Sequence, residues 1–127
     1  MRNTLLMYNI APDKLTKLRV LCMRLGIKMR PVEKSEYGLE LEKLLGEKSE
    51  CQYDGDTFDD EMVVMCGFNN RTVDEFLMGM RTNRIPVVAL KAMMTQTNAK
   101  WSSFQLHSEL CAERDALKAG KKAHETK

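Results

Sequence analysis

The sequence has no long apolar run, no closely spaced cysteines and no glycine-rich phosphate loop. Each absence closes off a class of protein. The longest apolar stretches are Leu5-Leu6-Met7-Tyr8 and Met62-Val63-Val64-Met65-Cys66, far short of the roughly 20 residues that span a bilayer. The first is cut off by Pro12-Asp13-Lys14 with no small-residue cleavage pattern after it. It is therefore not read as a secretory signal, and a cytoplasmic location with no membrane partner is expected. Cys22, Cys51, Cys66 and Cys111 include no C-x-x-C pair, whereas disulfide frameworks and zinc sites favour denser spacing. Reduced structural thiols are expected, and no metal. Neither G-x-x-x-x-G-K-[ST] nor G-x-G-x-x-G occurs, so no nucleotide or other cofactor is implied. With only three prolines and seven glycines, fibrous and low-complexity classes are excluded.

What is present is the composition of one folded domain: 127 residues, 43% hydrophobic and 30% charged. The net charge of +2 hides a sorting along the chain. Met1 to Ser35 carries +6, Glu36 to Glu61 carries −8, and Met62 to Lys127 carries +4. Such asymmetry marks either a nucleic-acid surface or segments that neutralise one another in the fold.

Hydrophobic periodicity gives alternating strands and helices. Thr4 to Tyr8 reads as a strand. A helix starts at Pro12, carries Leu15, Leu18, Leu21, Cys22 and Leu25 on one face, and ends at Gly26. Lys14, Lys17, Arg24 and Lys28 form a basic stripe beside that face. Lys28 to Val32 reads as a strand that Pro31 confines to an edge. Leu39 to Leu45 suggests a short helix, and Glu47 to Glu61 an acidic loop. Met62 to Cys66 is the clearest central strand. Asn69 caps a helix carrying Val73, Phe76, Leu77 and Met80. Val87 to Leu90 reads as a last strand. Ser102-Ser103-Phe104-Gln105 is a capping box for a final helix, with Trp101 and Leu106 as its hydrophobic staple. Residues 1–117 are expected to form a single α/β domain and 118–127 a disordered basic tail.

A shift of 58 positions superposes Leu5 on Val63, Met7 on Met65, Leu18 on Phe76, Cys22 on Met80 and Ile27 on Ile85. This internal repeat predicts two βαβ halves. The expected fold is a four-stranded, mainly parallel sheet of order 2-1-3-4 with a C-terminal helix.

In such a sheet ligands sit at the carboxyl ends of the strands. Those ends bring forward Asn9, Gly67 and Asn69, the last two also explicable as a turn residue and a cap. The connection after the fourth strand places Lys91, Thr95, Thr97, Asn98 and Trp101 together. Their ammonium, hydroxyl and amide groups either converge on a polar ligand, or Thr97 and Asn98 bond the backbone of a turn while Trp101 covers the core. The run Asp54 to Glu61 is not a calcium loop, because Gly55 is misplaced and Phe58 stands at a ligand position. His107 and Cys111 are one helical turn apart, but two groups make neither a zinc site nor a catalytic set. His124 has no partner at motif spacing.

The stretch L-K-A-x-x-T-x-T-N-x-x-W from Leu90 to Trp101, followed by Ser103, Leu106, Glu109, Leu110 and Glu113, resembles the C-terminal signature of a family of small bacterial proteins catalogued only as a domain of unknown function. The likeness extends to Met65-Cys66-Gly67-Phe68 and more loosely over Thr4 to Arg114. It implies no activity, substrate or residue role. Without an acid–base or nucleophile constellation, the leading expectation is a non-catalytic binding or regulatory module for an unknown small molecule or protein partner. The alternatives are a small enzyme using Lys91 or Cys66 and a weak nucleic-acid binder through the basic stripe. Oligomeric state is not readable from these residues.

Overall fold

A computed structural model describes residues 3–46 and 52–125. Cys51 and the acidic positions Glu47 and Glu50 lie outside the described residues. Strand β1 (Thr4–Tyr8) leads into helix α1 (Pro12–Leu25) and strand β2 (Lys28–Pro31). Two short 3-10 segments follow, Lys34–Glu36 and Leu41–Leu45. Then come strand β3 (Met62–Cys66), helix α2 (Asn70–Thr82), strand β4 (Leu90–Met93), a 3-10 turn (Asn98–Lys100) and helix α3 (Ser103–Glu125). The helix boundaries follow their sequence signals. Pro12 sits in the first turn of α1, and Gly26 closes it at φ 71° with its N–H on the carbonyls of Cys22 and Met23. The Asn69 side chain caps α2 by accepting from the Thr72 N–H.

The four strands form one sheet of order β2-β1-β3-β4. The β1–β2 and β3–β4 pairs are parallel, as two β-α-β units require. The central β1–β3 pair is antiparallel, so the sheet is mixed where a mainly parallel one was expected. The register gives the reason. The chain leaves β2 at Pro31, which lies opposite Met7, and enters β3 at Met62, opposite Tyr8. The long connection therefore departs from and returns to the same end of the sheet. Such a path needs no crossover and produces an antiparallel neighbour.

Reversing β3 also puts both crossover helices on one face. Side chains alternate across each strand. Leu5 and Met7 of β1, with Val63 and Met65 of β3, pack under Leu18, Leu21 and Cys22 of α1 and Phe76 and Met80 of α2. The residue pairs aligned by the 58-position shift all meet in this cluster. The opposite face, Leu6, Tyr8, Met62, Val64 and Cys66, is covered by Tyr37, Leu41, Leu44, Phe58 and Leu106. Every residue of β1 and β3 is buried, and each large apolar side chain so placed contributes roughly 2 kcal/mol.

Three element boundaries differ from expectation, the smallest being that β2 ends at Pro31 and not at Val32. The fourth strand is Leu90–Met93, not Val87 to Leu90. Its pairing begins only where β3 begins, with Leu90 opposite Met62. Apolar Val87 has no strand beside it and is 78% exposed. The helix expected across Leu39 to Leu45 is a 3-10 segment beginning at Leu41, with the Leu41 N–H bonded to the Trp101 carbonyl. Among the described residues no helix is long and apolar enough to cross a membrane.

Candidate functional site

The reversal of β3 separates groups that a parallel sheet would gather. The carboxyl end of β1, with Asn9, lies beside the start of β3. The carboxyl end of β3, with Gly67, lies at the opposite end of the sheet. The molecule therefore offers two candidate sites, one at each end.

At the β3–β4 end, Gly67 turns the chain out of β3 at φ 77°, a conformation that suits glycine. A cavity of about 480 Å³ opens beside it, lined by Glu42, Gly67, Met94, Thr95, Gln96, Ala99 and Lys100. Lys100 pairs with Glu42 across this space, and both side chains are partly exposed. The Lys100 hydrogen bond holds the Glu42 carboxyl below its ordinary range. Of the residues singled out from sequence, Gly67 and Thr95 line the cavity.

The others are placed elsewhere. Asn98 is turned inward: its Oδ1 accepts from the Thr95 N–H at 2.7 Å, and its Nδ2 donates to the Met93 carbonyl at 3.0 Å. In return the Asn98 N–H donates to Thr95 Oγ1 at 3.1 Å. This reciprocal lock closes the turn that carries the chain from β4 towards α3. The backbone-bonding pair is thus Thr95 with Asn98, while Thr97 is exposed and makes no side-chain cap. Trp101 packs against the core on the α3 side of the sheet. Asn69 is occupied as the α2 cap. Lys91 lies near the start of β4, not at its end, and borders two shallow grooves. Cys66 is fully buried, its thiol pushed up to about 12 by burial and donating to the Val64 carbonyl. It is not presented as a nucleophile.

The other end of the sheet holds a cluster that the sequence reading missed. Asp60, His107 and Cys111 bring one ligand atom each within 4.8 Å of one another. His107 Nε2 lies 2.9 Å from Asp60 Oδ2 and 3.6 Å from Cys111 Sγ. The His107 side chain is only 13% exposed. Its ring stacks on Phe58 with centroids 3.9 Å apart and planes 1° from parallel, and Phe58 stacks in turn on Tyr37. Phe58, the residue that spoils a calcium loop, is the platform on which the histidine rests.

The segment presenting Asp60 is held from several sides. Asn9, at φ 57°, donates through Nδ2 to the carbonyls of Phe58 and Asp60 and to the Tyr37 hydroxyl. Glu61 accepts from the Ala11 N–H at 3.1 Å and pairs with Lys14. Lys34 pairs with Asp59. Arg30 grips Glu36 through both guanidinium nitrogens, next to Tyr37. The acidic loop is thus pinned against the basic first unit. The thiol and the carboxylate approach the same imidazole nitrogen, so the trio is not a nucleophile–base–acid relay, which uses the two ring nitrogens separately.

No curated protein and no solved structure matches the chain. One family model does, and its span takes in β3, α2, β4, the Thr95–Asn98 turn and the first part of α3, leaving the β1-α1-β2 unit outside. Residues 61–117 match the family described as a domain of unknown function (DUF3783).

Proposed function

We propose that this chain is a small, non-catalytic binding or regulatory module of the cytoplasm that takes a small polar molecule in the cavity at the carboxyl ends of β3 and β4. The observation that carries this reading is the Glu42–Lys100 pair at the mouth of that cavity. Open α/β sheets bind ligands where parallel strands end, and β3 and β4 are such a pair. A ligand bearing both an ammonium and a carboxylate can exchange with the pair, its carboxylate on Lys100 and its ammonium on Glu42. Amino acids and related zwitterions are the ligand class that fits. The free thiols of Cys22, Cys66 and Cys111 suit a reducing compartment. We also take residues 1–117 as the packed unit and 118–127 as a basic tail, the first part of which, through Glu125, prolongs α3.

A thermal-shift screen of amino acids, nucleotides and small anions tests the reading. A ligand at a hundred times its dissociation constant adds about 2.7 kcal/mol of stability. The expected hit is an amino acid whose shift disappears in Lys100→Ala and in Glu42→Gln. Hits that ignore both substitutions, or none at all, overturn it.

A further inference from the structure

The Asp60, His107 and Cys111 cluster lies at the opposite end of the sheet from the cavity and is independent of it. We propose that these three residues bind a divalent transition-metal ion of the zinc class. Three features carry the assignment.

The first is the donor set. An imidazole nitrogen, a thiolate and a carboxylate suit zinc and its neighbours far better than calcium or magnesium. Neutral imidazole with two anionic ligands also balances a charge of +2. On binding, the Cys111 S–H gives its proton to water and the sulfur bonds the metal, with no change of oxidation state.

The second is geometry. Bonds of about 2.3 Å to sulfur and about 2.0–2.1 Å to nitrogen and oxygen put tetrahedral ligand atoms roughly 3.3–3.6 Å apart. The observed separation of Sγ from Nε2 is 3.6 Å. Oδ2 to Nε2, at 2.9 Å, opens by roughly 0.4 Å to reach the same shell. Both groups lie beside the imidazole nitrogen that would bind the ion, and all three ligand atoms fall within 4.8 Å of one another.

The third is preorganisation. His107 and Cys111 are one turn apart on α3, so the helix fixes their spacing. The His107 ring plane is fixed by Phe58. Asp60 is set by Asn9, which holds the Asp60 carbonyl at 3.1 Å and that of Phe58 at 2.9 Å. The Asp60 side chain is about half exposed, at 49%, so the site opens to solvent. Three protein ligands leave a fourth position for water or for a donor atom of a partner.

The test uses the full chain, reduced and stripped of metal with a chelator. Cobalt(II) is titrated first and then displaced with zinc. The expected result is one ion per chain and a cobalt–thiolate charge-transfer band that zinc removes. Cys111→Ser abolishes the band, Asp60→Asn weakens binding at least tenfold, and Cys51→Ser leaves it unchanged. Asn9→Ala, which touches no metal, weakens binding roughly 10–100-fold by releasing Asp60. Circular dichroism confirms that each variant is folded. Failure of the wild-type chain to hold zinc or cobalt overturns the proposal. So does a band that survives Cys111→Ser or is lost in Cys51→Ser.

Discussion

Replacing Asn98 by alanine separates a structural role for the Leu90 to Trp101 stretch from a ligand-binding one. Asn98 is 8% exposed, so its bonds are made in a largely dry site. The substitution removes the acceptor of the Thr95 N–H and the donor to the Met93 carbonyl. Each abandoned backbone group costs about 1–3 kcal/mol when it stays buried. Thr95 is itself exposed, so water rescues part of the first loss. The Met93 carbonyl lies at the end of an edge strand and is re-solvated in part. The sum is about 3 kcal/mol. The bond from the residue-98 N–H to Thr95 Oγ1 survives in Asn98→Ala; Thr95→Ala removes that one bond alone and should cost only about 1 kcal/mol. Guanidinium unfolding followed by circular dichroism reads both, and an unchanged slope shows that the folded state keeps its compactness. In a domain of this size 3 kcal/mol lowers the melting midpoint by about 12 °C. A destabilisation below about 0.5 kcal/mol in Asn98→Ala refutes the lock, since that is the scatter of ordinary surface substitutions.

Three further outcomes follow from particular contacts. Burial pushes the Glu61 carboxyl up, but the Lys14 side chain and the Ala11 N–H outweigh it and leave it below its ordinary 4.5. Its pairing therefore adds stability that is complete above pH 4.5 and is lost as the pH falls through the folded-state value. Lys14→Met should cost about 2 kcal/mol near neutrality and flatten that acid-side loss in a pH series of unfolding curves; a variant as acid-sensitive as the parent would count against the pair. Tyr8→Phe removes the 2.7 Å bond between the Tyr8 hydroxyl of β1 and Ser103 Oγ of α3 and leaves the fully buried Ser103 without that partner. A loss of about 1–2 kcal/mol in urea unfolding is expected, and no loss would mean that α3 docks through apolar contact alone. Burial pushes the Cys22 thiol up to about 11 and that of Cys66 to about 12, so native alkylation read by peptide mass spectrometry should mark the part-exposed Cys111 well before either. Early modification of Cys66 would revive it as a nucleophile.

Local chemistry was legible in the sequence, and long-range polarity was not. Pro12 and Gly26 bracket α1, Asn69 opens α2, and the uninterrupted apolar run Met62 to Cys66 is a strand buried on both faces. These are decided by capping, φ preference and side-chain period, all local to a few residues. The direction of β3 is decided by the path of the connection from Val32 to Glu61, whose course depends on contacts such as Asn9 with Phe58 and Lys14 with Glu61. The site suffered for the same reason. Thr95 and Asn98 could be placed in one turn by their spacing, but whether the amide faced in or out depended on the Met93 carbonyl. His107 and Cys111 were visible as neighbours on a helix. Asp60, 47 residues away from His107 in sequence, was not.

The reversal of β3 also brings oppositely charged segments of the chain together. Had all four strands run in parallel, the acidic connection would have crossed to the far end of the sheet, away from the start of α1. Because it returns to the end it left, Glu61 arrives beside the first turn of α1. There its carboxylate meets both the Lys14 ammonium and the free Ala11 N–H, a favourable place for an anion at a helix N-terminus. Lys34 and Asp59 pair in the same region. The basic stripe thereby loses Lys14 to the interior and keeps Lys17, Arg24 and Lys28 at the surface. Lys17 and Arg24 on α1 with Lys28 at the start of β2 neutralise about three phosphates, fewer than the 6–10 contacts typical of strongly salt-dependent nucleic-acid binding. The same acidic segment, once anchored, delivers Asp60 to His107 and Cys111. Charge asymmetry along this chain is therefore the trace of a loop drawn back onto its own first unit, and its consequence is a fixed carboxylate within reach of two good metal ligands.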